Sequence, residues 1–463
     1  MYQIDYNHKI HIHFIGIGGV SMSGLATILA RRGFTVSGSD GKLGPATDKL
    51  SACGIRVYEG NLASNLDDKP DVVVYTAAIH PDNPEFARAV ELDIPLLKRG
   101  ELLGQIMKNY TTSIGVSGTH GKTTTTSFLS HILLDAKLSP TISVGGNLPI
   151  IGGNIHIEDG DTFLTEACEY TNSFLSFFPT MELILNVEAD HLDFFKDIDD
   201  IRHSFREYAR LLPDDGQLII NSSIKDCDYF TQGLKCEVIT FGPKGYVSDY
   251  TYADEKITAL SCYSFRVVAP GKPSDGELVS LRVPGTHNIL NALAAIAAAD
   301  SLGIDPAVTL SAIGEFTGTD RRFQKKGVLH GVTIIDDYAH HPQEISATLA
   351  AAKDYPHKKL HIIFQPHTYT RTKLLFDDFA KALQDADEVI VARIYPARET
   401  DTLGMSAALL SEAVSRLGTP SVAFEDFEDI EDYVLTHCEE GDVVITMGAG
   451  DVYKIGEELL GNR

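Results

Sequence analysis

Residues 113–126 read Ser113-Ile114-Gly115-Val116-Ser117-Gly118-Thr119-His120-Gly121-Lys122-Thr123-Thr124-Thr125-Thr126. A short apolar run enters a glycine-bearing turn, and Phe128, Leu129, Ile132 and Leu133 continue at helical spacing. The reading is strand, turn, helix, with Lys-Thr at the helix start. Such a turn aims backbone N–H groups and a helix N-terminus at phosphate. Gly118, Thr119, His120, Gly121 and Thr124 build the loop. Lys122 supplies a point charge for the β- and γ-phosphates, and Thr123 a hydroxyl for Mg²⁺. The spacing is not the ordinary one, because Val116 stands where the longer motif has its first glycine. The shorter Gly-x-x-Gly-Lys-Thr form still makes a nucleotide loop, and a bare Gly/Thr turn leaves the Lys-Thr pair unexplained.

The same grammar recurs on either side. Upstream, His11-Ile12-His13-Phe14-Ile15 enters Gly16-Ile17-Gly18-Gly19-Val20-Ser21 and a helix through Leu25, Ile28 and Leu29. A strand over 34–40 ends in Asp40, and another lies at 72–76. Strands alternating with helices imply a parallel sheet, so residues 1–108 read as a Rossmann-like half. Residues 109–320 hold the phosphate loop, strands near 163–164, 183–185 and 218–220, a β-rich stretch from Val238 to Val283 broken at 271–276, and a helix at 288–302. Residues 321–463 hold strands at 332–337, 360–364, 389–391 and 443–446, the last running into Met447-Gly448-Ala449-Gly450-Asp451. The expectation is an α/β protein of three domains: a Rossmann-like N-terminal domain, a P-loop ATPase-like central domain and a Rossmann-like C-terminal domain.

A chain of 463 residues is too long for one core. Its formal charge of −25 argues against a nucleic-acid partner. No run of about 18 apolar residues is present, so no transmembrane helix is expected. The N-terminus lacks a basic region followed by an apolar one. The six cysteines form no Cys-x-x-Cys pair and read as reduced thiols of a cytoplasmic protein.

Chemistry gathers at strand ends. The first glycine cluster lacks the third glycine of the dinucleotide fingerprint, with Ser21 in its place. It suits a pyrophosphate at a helix N-terminus, with Asp40 near a ribose or base, and on its own would admit NAD. Thr165-Glu166-Ala167-Cys168-Glu169 and Asn186-Val187-Glu188-Ala189-Asp190-His191-Leu192-Asp193 each follow a strand beside the phosphate loop, where Mg²⁺ is held in nucleotide enzymes. Glu166 directly follows its strand, so the rigid element assigns it to the metal; Glu169, in the loop, is expected to orient the substrate. His287 and Asn291 lie one helical turn apart and suit an adenine. Asp336-Asp337-Tyr338-Ala339-His340-His341-Pro342 and Phe364-Gln365-Pro366-His367-Thr368-Tyr369-Thr370-Arg371 follow strands of the third domain, and their Tyr, His and Arg suit a zwitterion with a carboxylate.

Gly118-Thr119-His120-Gly121-Lys122-Thr123 resembles the ATP loop of the Mur ligases, which build the peptide of bacterial cell-wall precursors. His13-Phe14-Ile15-Gly16-Ile17-Gly18-Gly19 is similar to a UDP-binding loop of that family. Asp336 to Pro342, Phe364 to His367 and Ile394-Tyr395-Pro396-Ala397-Arg398-Glu399 also match, and the likeness runs from residue 11 to about 455. The resemblance implies that the first domain binds the UDP-sugar through Gly16, Gly18, Gly19, Ser21, Asp40 and Arg99, with Glu169. It implies ATP as cosubstrate, with Thr123, Glu166 and His191 at Mg²⁺, Lys122, Glu166 and His191 as catalytic residues, and His287, Asn291, Arg321 and Asp337 near the nucleotide. Tyr338, His340 and Arg371 are implied at the amino acid. Two stretches depart from the pattern. Thr-Glu-Ala-Cys-Glu-Tyr-Thr stands where many members have Ala-Glu-Ala-Asp-Glu-Ser-Asp, and Thr368 stands where many have Arg.

The implied reaction is amide formation between L-alanine and the lactyl carboxylate of UDP-N-acetylmuramate through an acyl phosphate, by a monomer or weak homodimer. Three alternatives stay open at this point. One is a relative that attaches a preformed peptide to the same sugar nucleotide. Another is a nicotinamide oxidoreductase using the first loop, and the third is a non-catalytic nucleotide-gated module.

Overall fold

The computed structural model describes residues 2–76, 78–192, 194–258, 261–270, 276–397 and 399–461. Asp193, Arg398 and residues 271–275 of the break at 271–276, all named above, lie outside the described residues. The chain divides into two compact units, Met1–Thr251 with Leu293–Thr309, and Tyr252–Ala292 with Leu310–Arg463.

The first unit holds two sheets. The N-terminal one comprises β1 (His11–Ile15), β2 (Thr35–Asp40), β3 (Arg56–Glu59), β4 (Val72–Tyr75) and β5 (Leu96–Lys98), ordered β3-β2-β1-β4-β5. All of its pairings are parallel. Ile12, Phe14, Ile15 and Val72 to Val74 are fully buried, as a parallel sheet covered by helices requires. The order reverses between β1 and β4, which puts the loop after β1 at the switch point where such sheets bind ligands.

The central sheet comprises β6 (Thr112–Ser117), β7 (Thr141–Leu148), β8 (Gly153–His156), β9 (Thr162–Glu166), β10 (Met181–Ile184), β11 (Gln217–Asn221) and β12 (Glu237–Phe241). Its order is β12-β11-β10-β6-β9-β7-β8, parallel except for the β7–β8 pair. This order decides the site. The phosphate loop leaves β6, Glu166 ends β9 on one side, and Asn186 to His191 follow β10 on the other. In the core below, Glu182 of β10 opposes Gly115 of β6. Both its carboxylate oxygens, and the hydroxyl of Tyr208, are buried without a hydrogen-bond partner among the described residues.

The second unit holds a small sheet, β13 (Thr251–Ile257), β14 (Cys262–Val268) and β15 (Glu277–Pro284), and the C-terminal sheet. The latter comprises β16 (Gln324–Leu329), β17 (Val332–Asp337), β18 (Leu360–Phe364), β19 (Glu388–Ala392), β20 (Ser421–Phe424) and β21 (Val443–Met447), ordered β16-β17-β21-β18-β19-β20. Only β16 is antiparallel. No described helix is long and apolar enough to cross a membrane.

The sequence expectation of three α/β domains matches this architecture. It omitted β3, β5, β7, β8, β16 and β20, which are short, polar or interrupted by glycine. All six cysteines are free thiols.

Candidate functional site

The loop after β6 needs its glycines. Gly118 has φ +140 and Gly121 φ +85, in the region that side chains avoid, and a Cβ on Gly118 would lie 2.9 Å from that of Leu185. Gly121 is the N-cap of helix Lys122–Asp135 and offers no side chain, so the first-turn amides are available to an anion. Lys122 folds over this loop. Its Nζ donates to the Gly118 carbonyl, to the Thr119 carbonyl at 3.1 Å, and to Glu169 Oε2 and Oε1 at 3.1 and 3.3 Å. Burial opposes the ammonium charge, but the Glu169 carboxylate, with Cys168 and Glu166 behind it, outweighs burial and moves the pKa upward. Lys122 therefore keeps its charge at neutral pH.

The flanking strands add the rest. Asn186 clamps the loop, accepting from the His120 amide at 2.8 Å and donating to its carbonyl at 3.0 Å. Thr119 Oγ1 accepts from the Glu188 amide at 2.9 Å. His191, at φ +52, holds Nε2 3.9 Å from Glu169 Oε1 and 3.7 Å from Asp190 Oδ2, its ring 4.6 Å from that of Tyr170. Glu166 accepts from the Gly145 amide at 2.6 Å, and a Cβ on Gly145 would stand 2.8 Å from its carboxylate. A Cβ on the next residue, Gly146, would touch the Thr123 methyl at 3.4 Å. Thus Thr123 and Glu166 converge on the Gly145-Gly146 segment of β7, a pair of glycines that the sequence reading passed over.

Mg²⁺ prefers hard oxygen donors, which Thr123 and Glu166 supply; His191 offers a softer nitrogen. Glu169, expected at the sugar nucleotide, lies against Lys122 and His191. Cys168 is partly buried, and burial together with Glu169 pushes its thiol pKa up against the pull of Lys122 and Arg99.

At the N-terminal loop the Gly18 amide donates to Asp40 Oδ2 at 2.9 Å, and a Cβ on Gly18 would overlap that oxygen at 2.8 Å. Gly16 takes φ +81, and Gly19 is the N-cap of helix Val20–Arg31. Arg99 Nη1 donates to Ser21 Oγ at 3.1 Å. These expected residues therefore meet. Behind them lies a buried polar chain the sequence reading missed: His13 Nδ1 is 2.9 Å from Ser37 Oγ, His13 Nε2 is 3.3 Å from Glu85 Oε1, and Asn65 Nδ2 donates to the same oxygen at 2.7 Å. Ser39, next to Asp40, bonds the other Glu85 oxygen.

The second unit carries the remaining candidates. Arg321 donates from Nε to Asp336 Oδ2 at 3.1 Å and from Nη2 to the Gly448 carbonyl at 2.6 Å, its guanidinium lying 4.8 and 4.7 Å from the rings of Tyr338 and Tyr453. Asp337, expected at the nucleotide, instead has its carboxylate committed inside the domain. It accepts from the amides of Phe323 and Ala339 at 2.7 and 2.8 Å and from Thr348 Oγ1 at 3.2 Å. Burial pushes its pKa up to about 6 against Arg322 and these donors.

His340 lies 3.2 Å from Glu344 Oε2, with its ring 5.4 Å from Tyr338 and 6.2 Å from His367. His367 stacks on Tyr395 at 5.5 Å; burial, His340 and Arg371 lower its pKa to about 4, so it is neutral at physiological pH. Arg371 lies on helix Tyr369–Leu374, capped by Thr368, whose φ of +66 is a strained conformation for a β-branched residue. His287 and Asn291 occupy the start of helix His287–Ser301, where Asn291 Nδ2 donates to Asn288 Oδ1 at 2.9 Å.

Comparison with known proteins covers almost all of the chain. Residues 11–111 match the model described as Mur ligase family, catalytic domain; residues 116–299 match Mur ligase middle domain; residues 321–450 match Mur ligase, glutamate ligase domain. A UDP-N-acetylmuramate–L-alanine ligase of Lachnospira eligens is 56% identical over 460 residues, covering 99% of this chain and 100% of the relative. The crystal structure of UDP-N-acetylmuramate-alanine ligase from Thermotoga maritima superposes with a TM-score of 0.81 at 31% identity, covering 98% of each chain. A murein peptide ligase from Psychrobacter arcticus gives 0.72 at 25% identity, again over 98% of each.

Proposed function

This chain belongs to the Mur ligase family, and we propose that it is an ATP-dependent ligase joining L-alanine to the lactyl carboxylate of UDP-N-acetylmuramate in peptidoglycan precursor synthesis. The observation that carries this reading is full-length likeness to ligases of that name, with Lys122 in place at the head of the phosphate loop. A lactyl carboxylate oxygen attacks the γ-phosphorus of ATP, the bond to the bridging oxygen breaks, and ADP leaves. The neutral amine of L-alanine then attacks the acyl carbon, phosphate departs with the bonding pair, and the amine gives up its proton. The protein's part is positioning and charge neutralisation. Lys122 exchanges its loop carbonyls and Glu169 for phosphate oxygens. Glu169, tied to Lys122, links that event to His191.

We assign Thr123 and Glu166 to Mg²⁺, which when bound neutralises phosphate charge, with His191 beside it. Gly16, Gly18, Gly19, Ser21, Asp40 and Arg99 form the UDP-sugar end. Tyr338, His340 and Arg371 form the amino-acid end, and His287, Asn291 and Arg321 serve the nucleotide. Our domain limits are 1–108, 109–320 and 321–463. We place the enzyme in the cytoplasm as a monomer or weak homodimer, serving cell shape and division through precursor supply.

A phosphate-release assay with UDP-N-acetylmuramate, ATP and a panel of L-alanine, glycine, L-serine and a preformed murein tripeptide tests the reading. Release with L-alanine and a product mass equal to the sum of both substrates less water is expected. Turnover with the tripeptide alone would move the chain to the activity of the Psychrobacter arcticus relative.

A further inference from the structure

The C-terminal sheet has two ends. Its carboxyl end carries Tyr338, Gln365, His367 and Gly448. At the opposite end, where β18, β19 and β21 begin, His361, Cys438 and Asp442 come together, their ligand-capable atoms all within 4.8 Å of one another. We propose that His361 Nε2, Cys438 Sγ and Asp442 Oδ2 form a binding site for one divalent transition ion of the zinc class.

The cluster supplies three of the four donors such an ion takes: one imidazole nitrogen, one carboxylate oxygen and one thiol, whose pKa burial, Asp442 and Glu388 push up to about 12 and which the ion would have to deprotonate. His361 and Asp442 are 2% and 3% exposed, and Nε2 lies 3.2 Å from Oδ2. The surrounding contacts orient these groups as ligands are oriented in metal sites. The far nitrogen of the ring, Nδ1, lies 2.8 Å from Glu388 Oε2, and Tyr433 donates its hydroxyl to Glu388 Oε1 at 2.6 Å. This is the carboxylate–histidine pairing that fixes the tautomer and turns the other nitrogen towards a metal. Asp442 is held by the Lys359 amide on Oδ1 at 3.2 Å and the Glu439 amide on Oδ2 at 2.8 Å. Cys438 closes helix Phe427–His437, and the chain reverses through Gly441, at φ +95, to bring Asp442 back beside it.

Without an ion the His361 ring simply bridges Glu388 and Asp442 by hydrogen bonds, which gives the thiol nothing to do. The ion's role would be structural. It would pin the loop before β21 to the first residues of β18, away from the residues at the carboxyl end. Loss of the ion should therefore lower stability and leave the Michaelis constants in place.

The test is a Co²⁺ titration of the full chain after dialysis against chelator. The expected result is a thiolate-to-cobalt charge-transfer band saturating near one equivalent, displaced by Zn²⁺. Zn²⁺ should also raise the thermal midpoint of the wild type. Cys438→Ser should lose the band and the thermal response, whereas Cys53→Ser, a change at an exposed thiol, should keep both. Glu388→Gln leaves the three ligands untouched and should weaken Co²⁺ about 10- to 100-fold, which keeps the test decisive if Cys438→Ser does not fold. No stoichiometric Co²⁺ binding by the wild type, a band that survives in Cys438→Ser, or unchanged affinity in Glu388→Gln overturns the proposal.

Discussion

Glu182 should make the stability of this protein fall as pH rises. The side chain is fully buried on a central strand, neither carboxylate oxygen has a hydrogen-bond partner among the described residues, and burial moves its pKa well above the ordinary 4.5. In the unfolded chain the same group ionises near its ordinary value. Between the two values the folded state holds a proton that the unfolded state has released. Stability is then fully present below the unfolded pKa and is lost with rising pH, at about 1.4 kcal/mol per pH unit, until the folded pKa is passed. The loss begins above the unfolded value near 4.5 and stops once the folded pKa is passed.

Glu182→Gln keeps the shape and cannot titrate. Urea unfolding followed by far-ultraviolet circular dichroism, at a series of pH values above 4.5, compares the two proteins. The stability of the variant relative to the wild type should grow with pH at the slope given. A constant offset between the two curves refutes the reasoning. It would mean that the carboxyl ionises in place, with a partner such as water meeting its charge.

Four further outcomes are expected. Lys122→Ala should lose about 10²- to 10³-fold in phosphate release while keeping its circular dichroism, because one charge aimed at the transferring phosphoryl group is removed; activity within about threefold of wild type would contradict it. Arg371→Ala should raise the Michaelis constant for L-alanine far more than that for ATP, and an equal rise in both would point to a displaced domain instead. Glu166→Gln should raise the Mg²⁺ concentration for half-maximal turnover, whereas Glu169→Gln, which unties Lys122 and His191, should lower kcat; Mg²⁺ titrations of both variants decide between these roles. Thiol reagents should modify Cys168 only slowly at neutral pH and faster as pH rises, since burial and Glu169 hold the thiol protonated, with Mg-ATP protecting; rapid labelling near neutrality would show that the thiol is open.

Much of the fold was readable because its strands are short apolar runs ending in glycine. His11–Ile15 and Thr112–Ser117 announce both themselves and the turns that follow. The strands that escaped lack that signal: Thr141–Leu148 carries Gly145-Gly146, and Gln324–Leu329 is half polar. The site was legible residue by residue, since strand-end carboxylates and a Lys-Thr helix start are local features. Its pairings were not. Nothing near Lys122 in sequence names Glu169, and nothing near Ser21 names Arg99. Asp337 shows the same limit from the other side. A strand-end acid reads as a ligand, but the Phe323 and Ala339 amides that occupy it are visible only once the chain is folded.

The strand order β10-β6-β9 also has a kinetic consequence. Val116 pairs with Glu166 and Ser117 with Ile184, so the residues around the phosphate loop are neighbours only through parallel pairings between distant segments. Loop closure must be completed before such contacts repay it, which makes them late and slow to form. Lys122, Glu166 and His191 should thus come into register only after the local helices around them have formed. Return of ligase activity would then report completion of the central sheet, lagging behind the recovery of circular dichroism.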